Sequence, residues 1–245
     1  MATESPSGLQ TMSEVDRLVG VLFDPQATFP DIVARPRWWI PLVILVVLAA
    51  SIIFAFSERV GWEQFMRQQI EASPRTQQLS AEQKEQIIEQ QVRLAPIFGY
   101  VFSVLGWPII VLVVAGIFLF VFNVLLGTQL VYRQVLGVTS YSMLPQAVGG
   151  LLALLLLFIK EPADFDLQNP LASNLGAFLD PNAVPAWLVS LGSSLDVFVF
   201  WSLLLLATGL AAAARKLSWS KALTWVVAMW AVWLVVKVGW AWIWS

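Results

Sequence analysis

Five long apolar segments dominate the pattern of hydrophobic and polar positions along this chain. A helix that crosses a bilayer needs about 20 mostly apolar residues, because the hydrocarbon core is about 30 Å thick and each residue rises about 1.5 Å. The pattern therefore predicts an all-α integral membrane protein, built as a bundle of five transmembrane helices. The predicted spans are Trp39–Phe56, Trp107–Leu126, Ser142–Ile159, Trp187–Ala214 and Ala222–Trp242.

The segment 58–95, between the first two predicted spans, is too polar for lipid but too periodic for a loop. Apolar residues recur at helical spacing in both of its halves, and Ser80 with Gln83 has the form of a capping box. We expect an extracytoplasmic hairpin of two antiparallel helices, which either only pack on each other or also form a docking arm for an external partner. Its predicted interface consists of Trp62, Met66, Ile70, Ile88 and Val92.

Residues 1–37 precede the first span and contain two short amphipathic patterns. The apolar side of the first pattern consists of Val15, Leu18, Val19 and Leu22. In the second pattern, the residues expected to face lipid are Phe29, Ile32 and Val33. Such patterns are typical of helices that lie in the headgroup plane, and a plain loop is the alternative. We expect a cytoplasmic N-terminal segment with short interfacial helices, followed by a membrane domain over residues 38–245.

Basic residues in the short loops predict the orientation, because cytoplasmic loops carry an excess of lysine and arginine. The loop after the third span instead carries four acidic residues, with only Lys160 at its edge. We therefore expect the N-terminus in the cytoplasm and the C-terminus outside. The basic residues on the predicted cytoplasmic side are Arg17, Arg35, Arg37, Arg133, Arg215, Lys216 and Lys221.

Composition agrees with a membrane location and excludes several kinds of chemistry. Of the 245 residues, 58% are hydrophobic and 12% are charged, whereas a soluble domain is nearer about half apolar and about a quarter charged. The net charge is −2, so no nucleic-acid partner is expected. The chain has no cysteine and no histidine, which excludes disulfides, thiol nucleophiles, histidine acid–base catalysis and the usual zinc sites. We expect no enzymatic activity, cofactor or metal.

Two ionisable residues, Asp196 and Lys237, fall inside the predicted spans. An ionisable side chain in a membrane is a functional candidate by default. Counted from the basic residues of the neighbouring turn, both lie about 24–28 Å above the inner boundary at about 1.5 Å per residue, near the outer edge of the hydrocarbon core. Two interpretations stay open: a structural ion pair or interfacial charge, and a proton or ion relay.

Small residues recur at helical spacing in the fourth predicted span and in the apolar segment just before the second. In lipid, such rows let helix backbones approach closely, and they favour a compact bundle and a homo-oligomer. The rows are Gly99, Ser103 and Gly106; Ala207, Ala211 and Ala214; and Gly209 with Ala213.

A family resemblance is carried by three stretches in a fixed order: LFDPQATFPDIVARPRWWIPL, YRQVLGVTSYSMLPQAVGG and WSLLLLATGLAAAARKLSWSKALTWVVAMW. Together they resemble the bacterial form of the Yip1-domain family. The resemblance implies a five-helix bundle in the bacterial cytoplasmic membrane with a cytoplasmic N-terminus. Tyr141 and Pro145 match the family's tyrosine and proline at the start of the third span, where we expect the phenol at the interface and the proline in the first helical turn.

Eukaryotic relatives act in vesicle traffic and contact Rab-type GTPases, but the polar-aromatic-proline motif that they carry before the first span is not found here. The features above predict a non-enzymatic scaffold or accessory subunit of a larger membrane complex, such as transport or export machinery or a trafficking-like system. It would bind membrane-protein partners through the bundle and the hairpin. The alternative is a small transporter or channel with a polar pathway near Asp196.

Overall fold

Ten α-helices are present in the computed structural model, which describes residues 12–72, 76, 78–167, 169–180, 183–214 and 216–243. No β-strand occurs in this described part, which confirms an all-helical protein. Residues 1–11 and Arg215, both used above for predictions, lie outside the described residues. The helices are α1 (Glu14–Phe23), α2 (Pro25–Ala34), α3 (Trp39–Arg59), α4 (Trp62–Ala72), α5 (Ala81–Phe120), α6 (Tyr132–Ser142), α7 (Leu144–Ile159), α8 (Ala186–Ser194), α9 (Val197–Ala213) and α10 (Trp219–Ile243).

Within the described residues, four helical stretches are long and apolar enough to cross a membrane. They are Trp39–Arg59, Ala81–Leu125, Tyr132–Ile159 and Trp219–Ile243. These stretches cover the first, second, third and fifth predicted spans. The fourth predicted span, Trp187–Ala214, is not a single helix, because the chain leaves helical geometry at Leu195 and Asp196. The prediction of one continuous fourth helix was therefore wrong.

Helix α7 packs in parallel against α3. Near the start of both helices, the hydroxyl of Ser140, at the end of α6, donates to the carbonyl of Trp38 (2.5 Å). At the other end, the Arg59 guanidinium donates to the carbonyl of Phe158 (2.9 Å). Helix α7 therefore follows α3 from end to end, and most of α6 lies beyond the start of α3.

Helix α9 packs antiparallel to α6 and α7. A Cβ atom on Gly209 would overlap Val138 of α6, and a Cβ atom on Gly149 of α7 would lie 3.1 Å from the ring of Phe198. Glycine at these positions lets the helices approach closely, which is what rows of small residues do in membranes. The row that contains Gly209 is therefore occupied by packing within the chain.

Helix α10 runs along both α9 and α8 without changing direction. Near its start, the indole N–H of Trp219 donates to the hydroxyl of Thr208 on α9 (3.0 Å). Near its end, the ammonium of Lys237 donates to the hydroxyl of Ser194 on α8 (2.7 Å). Together, α8 and α9 therefore match the length of α10 even though the helix is interrupted between them.

The N-terminal helices pack on the bundle, and α2 does so with the face that was predicted to meet lipid. Phe29 and Ile32 have no exposed surface, and α2 packs against α6 and α9. The prediction that these two residues face lipid was wrong. An amphipathic pattern shows that a helix has an apolar face, but not whether lipid or protein covers that face.

The polar segment 58–95 forms α4 and the first part of α5, which pack on each other. Gly61 turns the chain between α3 and α4 with a φ of 80°, a conformation that glycine adopts without strain. Ser80 and Gln83 form the predicted capping box at the start of α5. We call α4 and residues 81–95 of α5 the arm. Because α5 has no break between the arm and its membrane-spanning part, the arm is a direct extension of that span.

Candidate functional sites at a helix break and an N-terminal ion cluster

The helix break, formed by Leu195 and Asp196, is organised by the carboxylate of Asp196. One carboxylate oxygen accepts hydrogen bonds from the backbone N–H groups of Phe198 (2.8 Å) and Val199 (3.1 Å), at the start of α9. The other accepts a hydrogen bond from the hydroxyl of Ser173 (2.5 Å). The first N–H groups of a helix have no partner within the helix and carry partial positive charge. Asp196 is therefore the N-cap of α9.

Lys237 is held at the opposite helix end of the same break. Its ammonium donates to the hydroxyl of Ser194 (2.7 Å) and to the carbonyl of Ser190 (3.4 Å), in the last turn of α8. It also lies 5.4 Å from the centre of the Trp233 ring. A cation is favoured at this position because the last carbonyls of a helix carry partial negative charge.

The structure does not bring Asp196 and Lys237 together as an ion pair. Among the described residues, the salt bridges lie in α1, α2 and the arm with their flanking segments, and none includes either residue. The two charges are instead separated, each on the helix end that stabilises its sign. The interpretation as a structural pair is thus replaced by a pair of helix-end charges, and the relay interpretation has no test in the structure.

A second segment reaches the break from the loop after α7. We call residues 169–178 the re-entrant loop. The carbonyl of Ser173 accepts a hydrogen bond from the N–H of Val197 (3.0 Å), and a Cβ atom on Gly176 would lie 2.7 Å from the backbone of Ser193. The loop therefore packs on the break through Ser173 and Gly176, and it lines a cavity beside Asp196.

The residues that share a cavity with Asp196 place the break along the bundle. Asp196 lines the same cavity as Ile52 of α3 and Gly150 of α7. Ile52 is about 10 Å from the end of α3 at Arg59 and about 20 Å from its start at Trp39, at about 1.5 Å per residue. The cavity therefore lies beside the half of α3 that is nearer to the arm, and part of the loop after α7 lines it as well.

A cavity of about 390 Å³ separates the re-entrant loop from α3, α7 and α9. This volume lies at the lower end of the range of about 300–1,000 Å³ for small-molecule sites. Among the described lining residues, Asp196 is the one charged side chain, and Ile52, Phe165 and Phe198 give apolar walls. The polar lining consists of Gln146, Asn169, Ser173, Asn174, Ser193 and Asp196. The cavity therefore suits water or a small polar solute.

A second polar region, which we call the N-terminal ion cluster, consists of Glu14, Arg17, Asp31, Arg35, Arg37 and Tyr141. Arg17 lies at its centre with only 1% of its surface exposed. Its guanidinium donates to Asp31 (2.6 Å), to Glu14 (3.0 Å) and to the carbonyl of Arg35 (3.3 Å). A buried guanidinium is tolerated when its N–H groups find acceptors, and charged acceptors give the strongest bonds.

The outer arginines of the cluster neutralise the carboxylates from the other side. Arg35 pairs with Asp31, and Arg37 pairs with Glu14 (3.0 Å). Burial alone would raise the pKa of the Asp31 carboxyl, but hydrogen bonds from Arg35 and Arg17 outweigh burial and hold this pKa below its usual range. Asp31 is therefore ionised at neutral pH, and three guanidinium groups share two carboxylates.

The cluster is tied to the third span through Tyr141, one of the two residues singled out by the family resemblance. Its hydroxyl donates to Glu14 (2.8 Å), and none of its surface is exposed. Tyr141 is thus covered by protein and joins α1 to the bundle. Pro145 is buried in the first turn of α7, directly after the bend that separates α6 from α7.

The residues of the predicted hairpin interface lie in the arm and at its base. Ile70 and Ile88 are each 4% exposed. Trp62 and Met66 pack at the base with a small apolar cluster, where the indole N–H of Trp62 donates to the Ser57 hydroxyl (2.8 Å). Val92 is half-buried. The base of the arm is therefore packed on α3 and the loop after α7 as well as on itself.

Sequence reasoning did not single out Arg17, Glu14, Asp31 or Ser173 as site residues. Local signals exist for the pairs Glu14–Arg17 and Asp31–Arg35, which have the i,i+3 and i,i+4 spacing of ion pairs on one helix. The contact between Arg17 and Asp31 joins two helices, and Ser173 meets Asp196 only through the fold of a loop. No spacing rule connects these last pairs.

Comparison with known proteins agrees with this architecture. The profile of the Yip1 domain matches residues 19–243. Membrane protein YknW of Bacillus subtilis (strain 168) is 26% identical over 228 residues, which cover 91% of this chain and 90% of that protein. No solved structure matches the chain. The profile match runs from α1 to the end of α10 and includes both the helix break and most of the N-terminal ion cluster, so the chain belongs to the Yip1-domain family.

Proposed function

We propose that this Yip1-family membrane protein is a non-enzymatic scaffold or accessory subunit that crosses the bacterial cytoplasmic membrane five times. The fifth crossing is the pair α8 and α9, and its support is the continuous packing of α10 along both helices. An odd number of crossings puts the termini on opposite sides. The excess of basic residues before α3 and around the α9–α10 turn favours a cytoplasmic N-terminus and an external arm.

The observation that carries the scaffold role is the contrast between the bundle and the arm. Inside the bundle, Arg17, Asp196 and Lys237 are all held by partners within the chain. The arm instead extends beyond α3 and presents a polar face to the surroundings. Exposed residues on α5 within this face are Glu82, Gln86, Glu89, Gln90 and Arg93.

The arm is also rigid enough to hold a partner in one orientation. Arg67 of α4 donates to Glu85 of α5 (2.7 Å) and to Glu63 of its own helix (3.0 Å). The bond to Glu85 bridges the two helices, in which Ile70 and Ile88 are both buried. A pre-organised surface binds with a smaller loss of conformational entropy than a flexible one.

Site-specific photocrosslinking in native membranes tests this role. A photoreactive residue at Gln86 or Gln90, both exposed, should crosslink to the same membrane protein, whereas one at the buried Ile88 should not. A variant that lacks residues 62–92, with the flanking helices rejoined, should lose that partner and keep its bundle. If the exposed positions give no crosslink and the shortened chain still copurifies with the partner, the arm is not the docking element.

The second candidate function is a small transporter or channel, and the observation that favours it is the cavity beside Asp196. The cavity lies between α3, α7 and α9 and is lined by both a helix break and the re-entrant loop. Substrate sites of transporters are typically formed by such interrupted helices. Ion or proton flux into vesicles would be measured for the native chain, for Asp196→Asn and for Asp164→Asn, an exposed acid outside the cavity. The candidate requires flux that falls only in Asp196→Asn, and the absence of flux from the native chain excludes it for the ions tested.

A further inference from the structure

Helix α1 carries an apolar stripe that is left exposed by the part of the chain that the structure describes. Val15 is 68% exposed, Val19 is 53% exposed and Phe23 is 79% exposed. These residues are four positions apart, so they lie on one face of the helix. On the other face, Arg17 and Val21 are buried against the bundle. The folded chain therefore fixes the direction in which the stripe points, which is away from the protein.

The position of α1 along the bundle places this stripe level with the beginning of the first span. Glu14, in the first turn of α1, accepts a hydrogen bond from Tyr141 (2.8 Å) and forms an ion pair with Arg37 (3.0 Å). The neighbouring Ser140 is bonded to the carbonyl of Trp38, directly before α3 begins. Helix α1 thus starts level with the first turn of a membrane-spanning helix, where the headgroup layer lies.

We propose that α1 binds the lipid surface itself, with Val15, Val19 and Phe23 inserted at the boundary between headgroups and acyl chains. Burial of valine and phenylalanine side chains away from water is favourable, so water is a poor environment for three of them on one face. Tryptophans Trp38 and Trp39 at the same level are typical of this layer. Exposed apolar residues also occur at the start of α3, such as Trp39 and Val43.

The charges of α1 are arranged for this placement. Arg17 and Glu14 turn toward the bundle and are neutralised there, so neither has to enter lipid. Asp16, which is exposed, lies at the edge of the stripe, and its carboxylate is bonded to Ser13 at the start of the helix. An interfacial helix with one apolar face and its charges on other faces lies in the membrane plane.

This inference goes beyond the scaffold role, because it assigns lipid contact to a helix outside the spans and names its residues. It also separates the two N-terminal helices, which the sequence pattern treated alike. The apolar face of α2 is covered by protein through Phe29 and Ile32, whereas that of α1 is left for lipid. The N-terminal ion cluster then lies between a lipid surface on one side and the bundle on the other.

The absence of cysteine from the sequence allows a direct test with single-cysteine variants of the full chain. Val15→Cys, Val19→Cys and Phe23→Cys would each be labelled with an environment-sensitive fluorophore in vesicles of phosphatidylcholine and phosphatidylglycerol. Brominated lipids would quench from the membrane and iodide from water. Asp16→Cys on the same helix and Ala27→Cys on the exposed side of α2 are the matched controls.

We expect labels at all three stripe positions to be quenched several-fold more by brominated lipid than the controls, and several-fold less by iodide. Because the three side chains are mostly exposed in the fold, their replacement removes little internal contact. Stripe labels that iodide reaches as readily as the Ala27→Cys label would overturn the proposal. That result would leave the stripe as a face for a soluble partner, which the purified vesicles do not contain.

Discussion

The N-terminal ion cluster and the helix break hold charged side chains in two different ways. In the cluster, Arg17 is surrounded by the carboxylates of Asp31 and Glu14, so charge is balanced by opposite charge. At the break, Asp196 and Lys237 are apart, and each is balanced by the partial charge of a helix end. Both regions remove the cost of a poorly solvated charge, but only one of them needs a second ion.

The difference shows why the two regions should respond differently to the same substitution. A buried ion that loses its partner is left without compensation, which costs several kcal/mol. A carboxylate at a helix N-terminus can be replaced by another hydrogen-bond acceptor at small cost, because the N–H groups need an acceptor rather than a charge. Identical Asp→Asn substitutions therefore separate the two mechanisms.

The largest expected effect is that of Asp31→Asn. This variant leaves the Arg17 guanidinium buried with one carboxylate instead of two, and we expect the free energy of unfolding to fall by about 3–5 kcal/mol. Asp196→Asn keeps an acceptor for the N–H groups of Phe198 and Val199, so we expect the free energy of unfolding to fall by only about 0.5 kcal/mol or less. Thermal unfolding in detergent, followed by tryptophan fluorescence, measures both. Equal losses would show that the two sites use the same mechanism.

The next largest effect concerns the close packing of α9, which begins at the helix break, on α2, which carries Asp31 of the N-terminal ion cluster. Gly209 of α9 faces Phe29 of α2 and Val138 of α6, so a methyl group there would force the helices apart. We expect Gly209→Ala to destabilise the chain by about 1–3 kcal/mol. Gly116→Ala is the control, because open space surrounds Gly116 and alanine is the better helix former by about 0.5–1 kcal/mol. If both variants unfold at or above the unfolding temperature of the native chain, the close packing of α2 on α9 is contradicted.

A smaller effect is expected when the acceptor at the break is removed entirely. Asp196→Ala loses the cap of α9 and the bond to Ser173, and loss of an N-cap costs about 0.5–2 kcal/mol. Ser173→Ala should lose only the loop contact and so have a smaller effect than Asp196→Ala. Hydrogen exchange of the amides at the start of α9 would report the lost cap directly. Unchanged exchange in Asp196→Ala would mean that the carboxylate does not cap the helix.

The smallest expected effect is the pH dependence of stability that comes from the N-terminal ion cluster, because it is absent near neutral pH and arises only in acid. Because the pKa of Asp31 is lowered in the folded state, its contribution to stability is complete above the unfolded value of about 3.9. That contribution disappears as the pH falls through the lower folded value. We therefore expect Asp31 to contribute nothing to any change in the free energy of unfolding between about pH 8 and about pH 5. In stronger acid, we expect the free energy of unfolding to fall, and to fall less in Asp31→Asn than in the native chain. An Asp31-dependent loss above about pH 5 would contradict the buried ion pair.

Hydropathy predicted the spans well because the requirement of a bilayer for long apolar helices acts on every residue in the segment. It placed α3 and α10 within a few residues of their observed bounds. It missed the helix break because Leu195 and Asp196 are flanked by apolar residues on both sides. The available signal was Asp196 itself, since an aspartate before an apolar run is typical of an N-cap.

The N-terminal ion cluster and the re-entrant loop could not be predicted in the same way. The partners Glu14 and Tyr141 are 127 positions apart, and no periodicity joins them. Phe29 was assigned to lipid because its helix is amphipathic, but the fold covers it with α9. Tertiary contacts decide which apolar faces meet protein, and a sequence pattern carries no information about them.

The crossing number is the central claim of this account, and reporter fusions at the two termini test it most directly. Four helical stretches meet the length expected of a single transmembrane helix, and the pair α8 and α9 adds a fifth crossing only if the broken helix spans the bilayer. A reporter active only in the cytoplasm should therefore work at the N-terminus and fail at the C-terminus. Activity at both ends would place the termini in one compartment and contradict five crossings.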